Sequence, residues 1–178
     1  MEITIRAATN VITHFVGLLT LRNKPQNLVY SMNVFALLFL LLAFSIKITA
    51  QNSIPQVAAI NSFIPILIIT YEVLFLTILF LMLTKAGKKN RFIQVGCNFL
   101  GVNIINCLIS SLVLLVPFQM FFLCLTKSWL LIINFHITKH AFNIDQIRAV
   151  WTYLLINGIA LLAITMPFII FTTLHNIK

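Results

Sequence analysis

FIPILIITYEVLFLTILFLML, residues 63–83, runs straight into TKAGKKNR at 84–91, and this stretch decides the class of the chain. It supplies about twenty largely apolar residues, which a helix rising ~1.5 Å per residue needs to cross a hydrocarbon core of ~30 Å. The block of Lys85, Lys88, Lys89 and Arg91 behind it marks the cytoplasmic end of such a span. Glu72, one of three acidic residues in the chain, lies at its middle.

Composition extends that local reading to the whole chain. Of 178 residues, 61% are hydrophobic and 8% charged. Soluble domains carry roughly 25% charged residues, so a water-facing globule of this composition could not cover itself. The length suits one compact membrane domain and leaves no room for a separate soluble catalytic domain. A net charge of +9 does not imply nucleic acid, which would need a clustered basic face with interleaved aromatics. The basic residues lie instead in short loops, where they orient the chain and meet anionic headgroups. Membrane lipids are therefore expected partners and nucleic acid is not. Cys97, Cys107 and Cys124 fall inside apolar runs at spacings that match no zinc or C-x-x-C pattern, and are expected as buried free thiols.

In chain order, residues 1–24 carry no secretory signal pattern, since Glu2 occupies the basic region and polar residues interrupt the apolar one. Ile5, Ala8, Ile12, Phe15, Val16 and Leu19 recur at helical spacing, with Arg6, Asn10, Thr13, Gly17 and Thr20 opposite. This predicts an amphipathic helix, either in the cytoplasmic membrane interface or packed against the bundle. Residues 25–178 form the transmembrane bundle, with spans expected at about 28–46, 63–83, 92–116, 118–138 and 150–172. Residues 49–62 are read as a short extracytoplasmic loop, and Pro65 as a first-turn proline. Pro117 closes the third span, Trp151 and Tyr153 open the fifth as an aromatic belt, and Pro167 kinks it.

The stretch 118–139 is interrupted by Lys127 and reads as either a fourth span or a re-entrant segment. Five spans place Arg6, Arg22, Lys24, the 85–91 block, Lys139 and Arg148 on one side, with Lys47 and Lys178 opposite. Four spans would carry Lys127, Lys139 and Arg148 outside. Five therefore fit the positive-inside rule better. The expected fold is all-α, a bundle of five transmembrane helices preceded by an interfacial helix, in a bacterial inner membrane with the N-terminus inside and the C-terminus outside.

Glu72 and Lys127 lie at matching depths in two spans that run the same way. An unpaired charge at mid-bilayer costs about 2.5–3.5 kcal/mol on insertion scales, so an intramembrane pair is expected. The alternative is a protonated Glu72 hydrogen-bonded to an asparagine. Such a pair serves either as a proton or ion relay or as a lock between spans. Asn103 and Asn106 share a helical face, Asn98 lies off that row, and these amides are expected to bond across to other helices at ~0.6–2 kcal/mol each. At the fourth span's cytoplasmic end His136 and His140, spaced i, i+4, lie near Asp145. Zinc binding is the sharp reading and interfacial polarity the plain one, because Ile137 occupies the general-base position of H-E-x-x-H. Asp145 and Arg148 are expected to pair at i, i+3. No catalytic set, metal site or cofactor motif is found.

Asn23–Pro25 before the first span, the basic Gly-containing loop AGKKNRFIQVGCNFLG (86–101), Pro117, Trp129 and the polar hinge HAFNIDQIRAV (140–150) follow one another in an order that resembles the bacterial branch of the Yip-domain (Ypt-interacting protein) family. The resemblance implies five spans, a cytoplasmic N-terminus and no enzymatic activity. Eukaryotic members act with small GTPases; this chain departs from them in lacking a long N-terminal cytoplasmic domain. The expected function is a non-enzymatic organising or accessory subunit that binds other membrane proteins or itself. The alternatives are a small proton-coupled transporter using Glu72 and, more weakly, a metalloenzyme using His136, His140 and Asp145.

Overall fold

The computed structural model describes residues 13–18, 20–21, 31–53, 58–113 and 117–176; among them there is no strand. A short helix α1 (13–18) precedes five long ones: α2 (Met32–Ser53), α3 (Ala58–Lys85), α4 (Phe92–Val113), α5 (Gln119–Phe142) and α6 (Gln146–Asn176). Helix is the expected outcome for such runs, because in hydrocarbon each backbone N–H and C=O has to be satisfied within its own segment. Ile64–Lys85, Lys89–Val113, Gln119–Phe142 and Gln146–Pro167 are long and apolar enough to cross a membrane, and Met32–Lys47 is a shorter apolar stretch. The chain is a multi-pass, all-α membrane bundle. Its outward side chains are those lipid accepts, such as Leu40, Phe44, Leu81, Leu112 and Leu161.

Several boundaries differ from the expected ones. The loop read at 49–62 is largely helical, since α2 runs on to Ser53 and α3 begins at Ala58. Nothing in ITAQNS stops a helix before Pro55, which disfavours helix in the residue ahead of it. Pro65 consequently lies inside α3 rather than in its first turn. Pro167 likewise lies inside α6, which continues to Asn176. The segment read at 118–138 is one unbroken helix from Gln119, extended to Phe142. The hinge read at 140–150 shrinks to residues 143–145, with His136 and His140 on α5, Arg148 on α6 and Asp145 alone between the helices.

The five long helices close into a ring in which α2 packs on α3, α3 on α6, α6 on α5, α5 on α4, and α4 back on α2. Helices α3 and α5 are thus not neighbours in the ring. Phe75 and Leu79 of α3, Phe99 and Val102 of α4, Ile133 and Ile137 of α5, and Tyr153 and Ile156 of α6 are buried in the core. Close approach at α4 depends on two glycines. A Cβ at Gly96 would lie 2.6 Å from the Phe35 ring of α2, and one at Gly101 would lie 2.2 Å from the Phe15 ring of α1.

Helix α1 lies against the bundle through buried His14, Phe15 and Leu18, while Val16, read as part of its apolar face, is exposed. Residues 1–12, which carry the rest of the expected amphipathic pattern, lie outside the described residues.

The basic loop after α3 does more than mark an orientation. Gly87 takes φ +69, a left-handed conformation that glycine adopts freely. It ends α3 in a Schellman turn, with Lys88 N donating to Leu83 O at 2.8 Å and Gly87 N to Thr84 O at 3.0 Å. The Lys88 ammonium then donates to Phe142 O, and Arg91 Nη1 donates to His140 O at 3.2 Å. Two cations from the α3–α4 connection therefore cap the C-terminal carbonyls of α5, where the helix dipole favours positive charge. This contact puts the C-terminal ends of α3 and α5 at the same end of the bundle.

Candidate intramembrane site

Glu72 on α3 is 8% exposed, within the ring. Its Oε1 accepts from Nδ2 of Asn103 at 2.9 Å. One turn further along α4, Asn106 Oδ1 accepts from Nζ of Lys127 at 2.8 Å and from Ser110 Oγ at 3.3 Å. The expected Glu72–Lys127 pair is therefore corrected: among the described residues the two form no ion pair, and each bonds a different amide of α4. The reason is the order of the ring, since Glu72 points inward from α3 whereas Lys127 lies on the exposed outer side of α5. The cross-helix bonding expected of Asn103 and Asn106 is present. Asn98, off their row, is fully buried and faces α1, accepting from His14 Nε2 at 3.2 Å while its Nδ2 donates to Gln94 O at 2.8 Å.

Around Glu72 lie further polar groups, of which the sequence reading singled out only Tyr153, and that for another role. The Tyr71 hydroxyl donates to Asn157 Oδ1. Asn157 Nδ2 donates to Tyr153 O at 2.8 Å, and Asn134 Nδ2 donates to the Tyr153 hydroxyl at 3.0 Å. Thr138 Oγ1 donates to Asn134 O at 2.8 Å. Tyr153, read as part of an interfacial belt, is buried; exposed Trp151 fits that description better. Phe99 and Tyr153 stack at 6.2 Å with rings 14° apart, and Phe75 meets Phe99 edge-on at 5.0 Å. These residues surround a partly open cavity of about 80 Å³ lined by Tyr71, Glu72, Phe75, Phe99, Asn103, Asn134, Tyr153 and Asn157. Four of the five ring helices thus place a side chain on one small polar space. Asn134 Oδ1, in a side chain only 7% exposed, meets no hydrogen-bond donor among the described residues.

The cytoplasmic-end cluster stays separate from this centre. His136 and His140 meet edge-on with ring centroids 4.5 Å apart. Asp145 and Arg148 pair at 3.4 Å on an exposed surface, at i, i+3 as expected. Among the described residues no group of three His, Cys, Asp or Glu side chains is placed to hold a metal ion. Cys97 is buried, but Cys124, expected to be, is exposed on the lipid-level surface of α5.

Fold and site together define a multi-pass membrane bundle built round a largely buried carboxylate–amide–phenol cluster. No protein-family model matches the chain, and no curated protein and no solved structure matches it either.

Proposed function

We propose that the protein is a non-enzymatic organising or accessory subunit of a bacterial cytoplasmic membrane, holding another membrane protein, or a second copy of itself, against its lipid-level face. One observation carries this reading. The first half of α5 is barely covered by the bundle, with Phe118, Met120, Phe121 and Leu125 strongly exposed, and Lys127 stands on it with an amide as its hydrogen-bond partner and no carboxylate among the described residues. A cation at that depth is costly in lipid, and a partner helix carrying an acid or amide would offset the cost. The resemblance to Yip-domain proteins supports the same role. Lys88 and Arg91 of the 85–91 block meet the end of α5 at one end of the bundle, close in sequence to Lys139 and Arg148; this supports an N-terminus inside and a C-terminus outside.

The test is purification of the full chain in mild detergent. A partner, or a second copy, retained at fixed stoichiometry by the native chain and by Lys127→Arg, and lost in Lys127→Met, is the expected result. A lone monomer, or a complex indifferent to Lys127→Met, contradicts it.

The polar cavity at Glu72 favours a second reading, a small ion-coupled transporter. Uptake by vesicles that Glu72→Gln abolishes, with expression unchanged, would select it.

A further inference from the structure

The central cavity holds a buried acceptor that no donor among the described residues meets. One N–H each of Asn103, Asn134 and Asn157 and the hydroxyl of Tyr71 donate within the cluster or to its backbone. Among the described residues Oδ1 of Asn134 receives no donor, and the bond to the Glu72 carboxylate goes to Oε1. A buried acceptor without a donor costs about 1–3 kcal/mol. A bound ion of positive charge would satisfy several acceptors at once.

The chemistry of the lining narrows the ion. Its donor atoms are carboxylate, amide and phenol oxygens, the set preferred by hard cations, with no thiolate or imidazole among them. One carboxylate supplies one negative charge, so a monovalent ion leaves the site neutral, whereas a divalent ion would leave a net charge in hydrocarbon. A volume of about 80 Å³ is that of two or three waters at ~30 Å³ each, enough for an alkali ion with a water and too small for an organic metabolite. We propose that Glu72, Asn134, Asn157 and the two tyrosine hydroxyls form a binding site for one partly dehydrated alkali cation of sodium size. This gives the transport reading its ion, but the site stands or falls on binding, whether or not anything crosses the membrane.

The experiment uses the full chain in mild detergent, with unfolding followed by the fluorescence of Trp129 and Trp151, in sodium chloride against choline chloride at equal ionic strength. Choline carries the same charge and is too large for the cavity. The midpoint should rise with the logarithm of the sodium concentration, by roughly 5–10 °C at a hundredfold excess over Kd, and radioactive sodium should bind saturably at one ion per chain. Glu72→Gln should abolish both effects. If that variant does not fold, Asn134→Ala should raise the half-saturating sodium concentration at least tenfold. Equal midpoints in sodium and choline, a sodium increment undiminished by the variant tested, or a midpoint that moves with pH alone would each overturn the proposal. None of these outcomes bears on the partner-binding surface at Lys127, and uptake without bound sodium would reject the ion while leaving transport in place.

Discussion

Asn103 donates to the Glu72 carboxylate at 2.9 Å, and this bond ties α4 to α3 across the inside of the ring beside the edge-on contact of Phe75 with Phe99. Lys127, at a similar depth, is held by Asn106 on the outer side. The bonds of Glu72 and Lys127 are thus divided between two amides one turn apart. In a double-mutant cycle measured by thermal stability in detergent, Glu72→Gln with Asn103→Leu should therefore show coupling of ~0.6–2 kcal/mol. Glu72→Gln with Lys127→Met should be additive within about 0.5 kcal/mol. Strong coupling in the second cycle would restore a direct acid–base pair.

Lys88 and Arg91 act as caps for α5 as well as orienting charges. Lys88→Met and Arg91→Met should each cost about 0.3–1 kcal/mol and speed amide exchange in the last turn of α5, most at low salt. Lys85→Met, on an exposed side chain, should leave that exchange unchanged. Equal effects from all three would reduce the loop to a general electrostatic role.

Gly101 leaves room for the Phe15 ring, and α1 docks through that contact. Gly101→Ala is expected to destabilise by about 1–3 kcal/mol, as overpacking does. Phe15→Ala in the same background should recover part of the loss, since the clashing ring is gone. A Gly101→Ala variant as stable as the native chain would show that α1 is not seated there.

Tyr153 and Asn134 satisfy one another in the core. Tyr153→Phe should cost about 1–3 kcal/mol by stranding the Asn134 amide, and adding Asn134→Leu should return part of it, because removing both partners leaves no orphan. Thermal unfolding in sodium-free buffer reads this pair apart from any bound ion.

Much of this architecture was legible in the residues. Five apolar runs, the basic block at 85–91 and the shared face of Asn103 and Asn106 anticipate the five long helices and two of their polar bonds. Which helices are neighbours was not legible. Matching Glu72 and Lys127 by depth paired two helices that the ring keeps apart. Tyr153 shows a second limit. It belongs to the buried stripe Ala149, Tyr153, Ile156 and Ala160 of α6, yet Leu154, Leu155 and Leu161 on the outer side are just as apolar. Lipid removes the contrast in hydropathy that separates inside from outside in a soluble helix, so the inward face was hidden. Asn134 and Asn157 were the available signal, as amides within spans.

The bundle stands or falls on α5 crossing the membrane beside α4 and α6, with its capped end next to the α3–α4 loop. Single cysteines at positions 88, 118 and 143, in a chain whose Cys97, Cys107 and Cys124 are replaced, can be labelled in sealed vesicles with an impermeant thiol reagent. Positions 88 and 143 should react from one side only and position 118 from the other only. Labelling of 118 from the same side as 88 would mean that α5 does not cross, and the site at Glu72 would lose one of its walls.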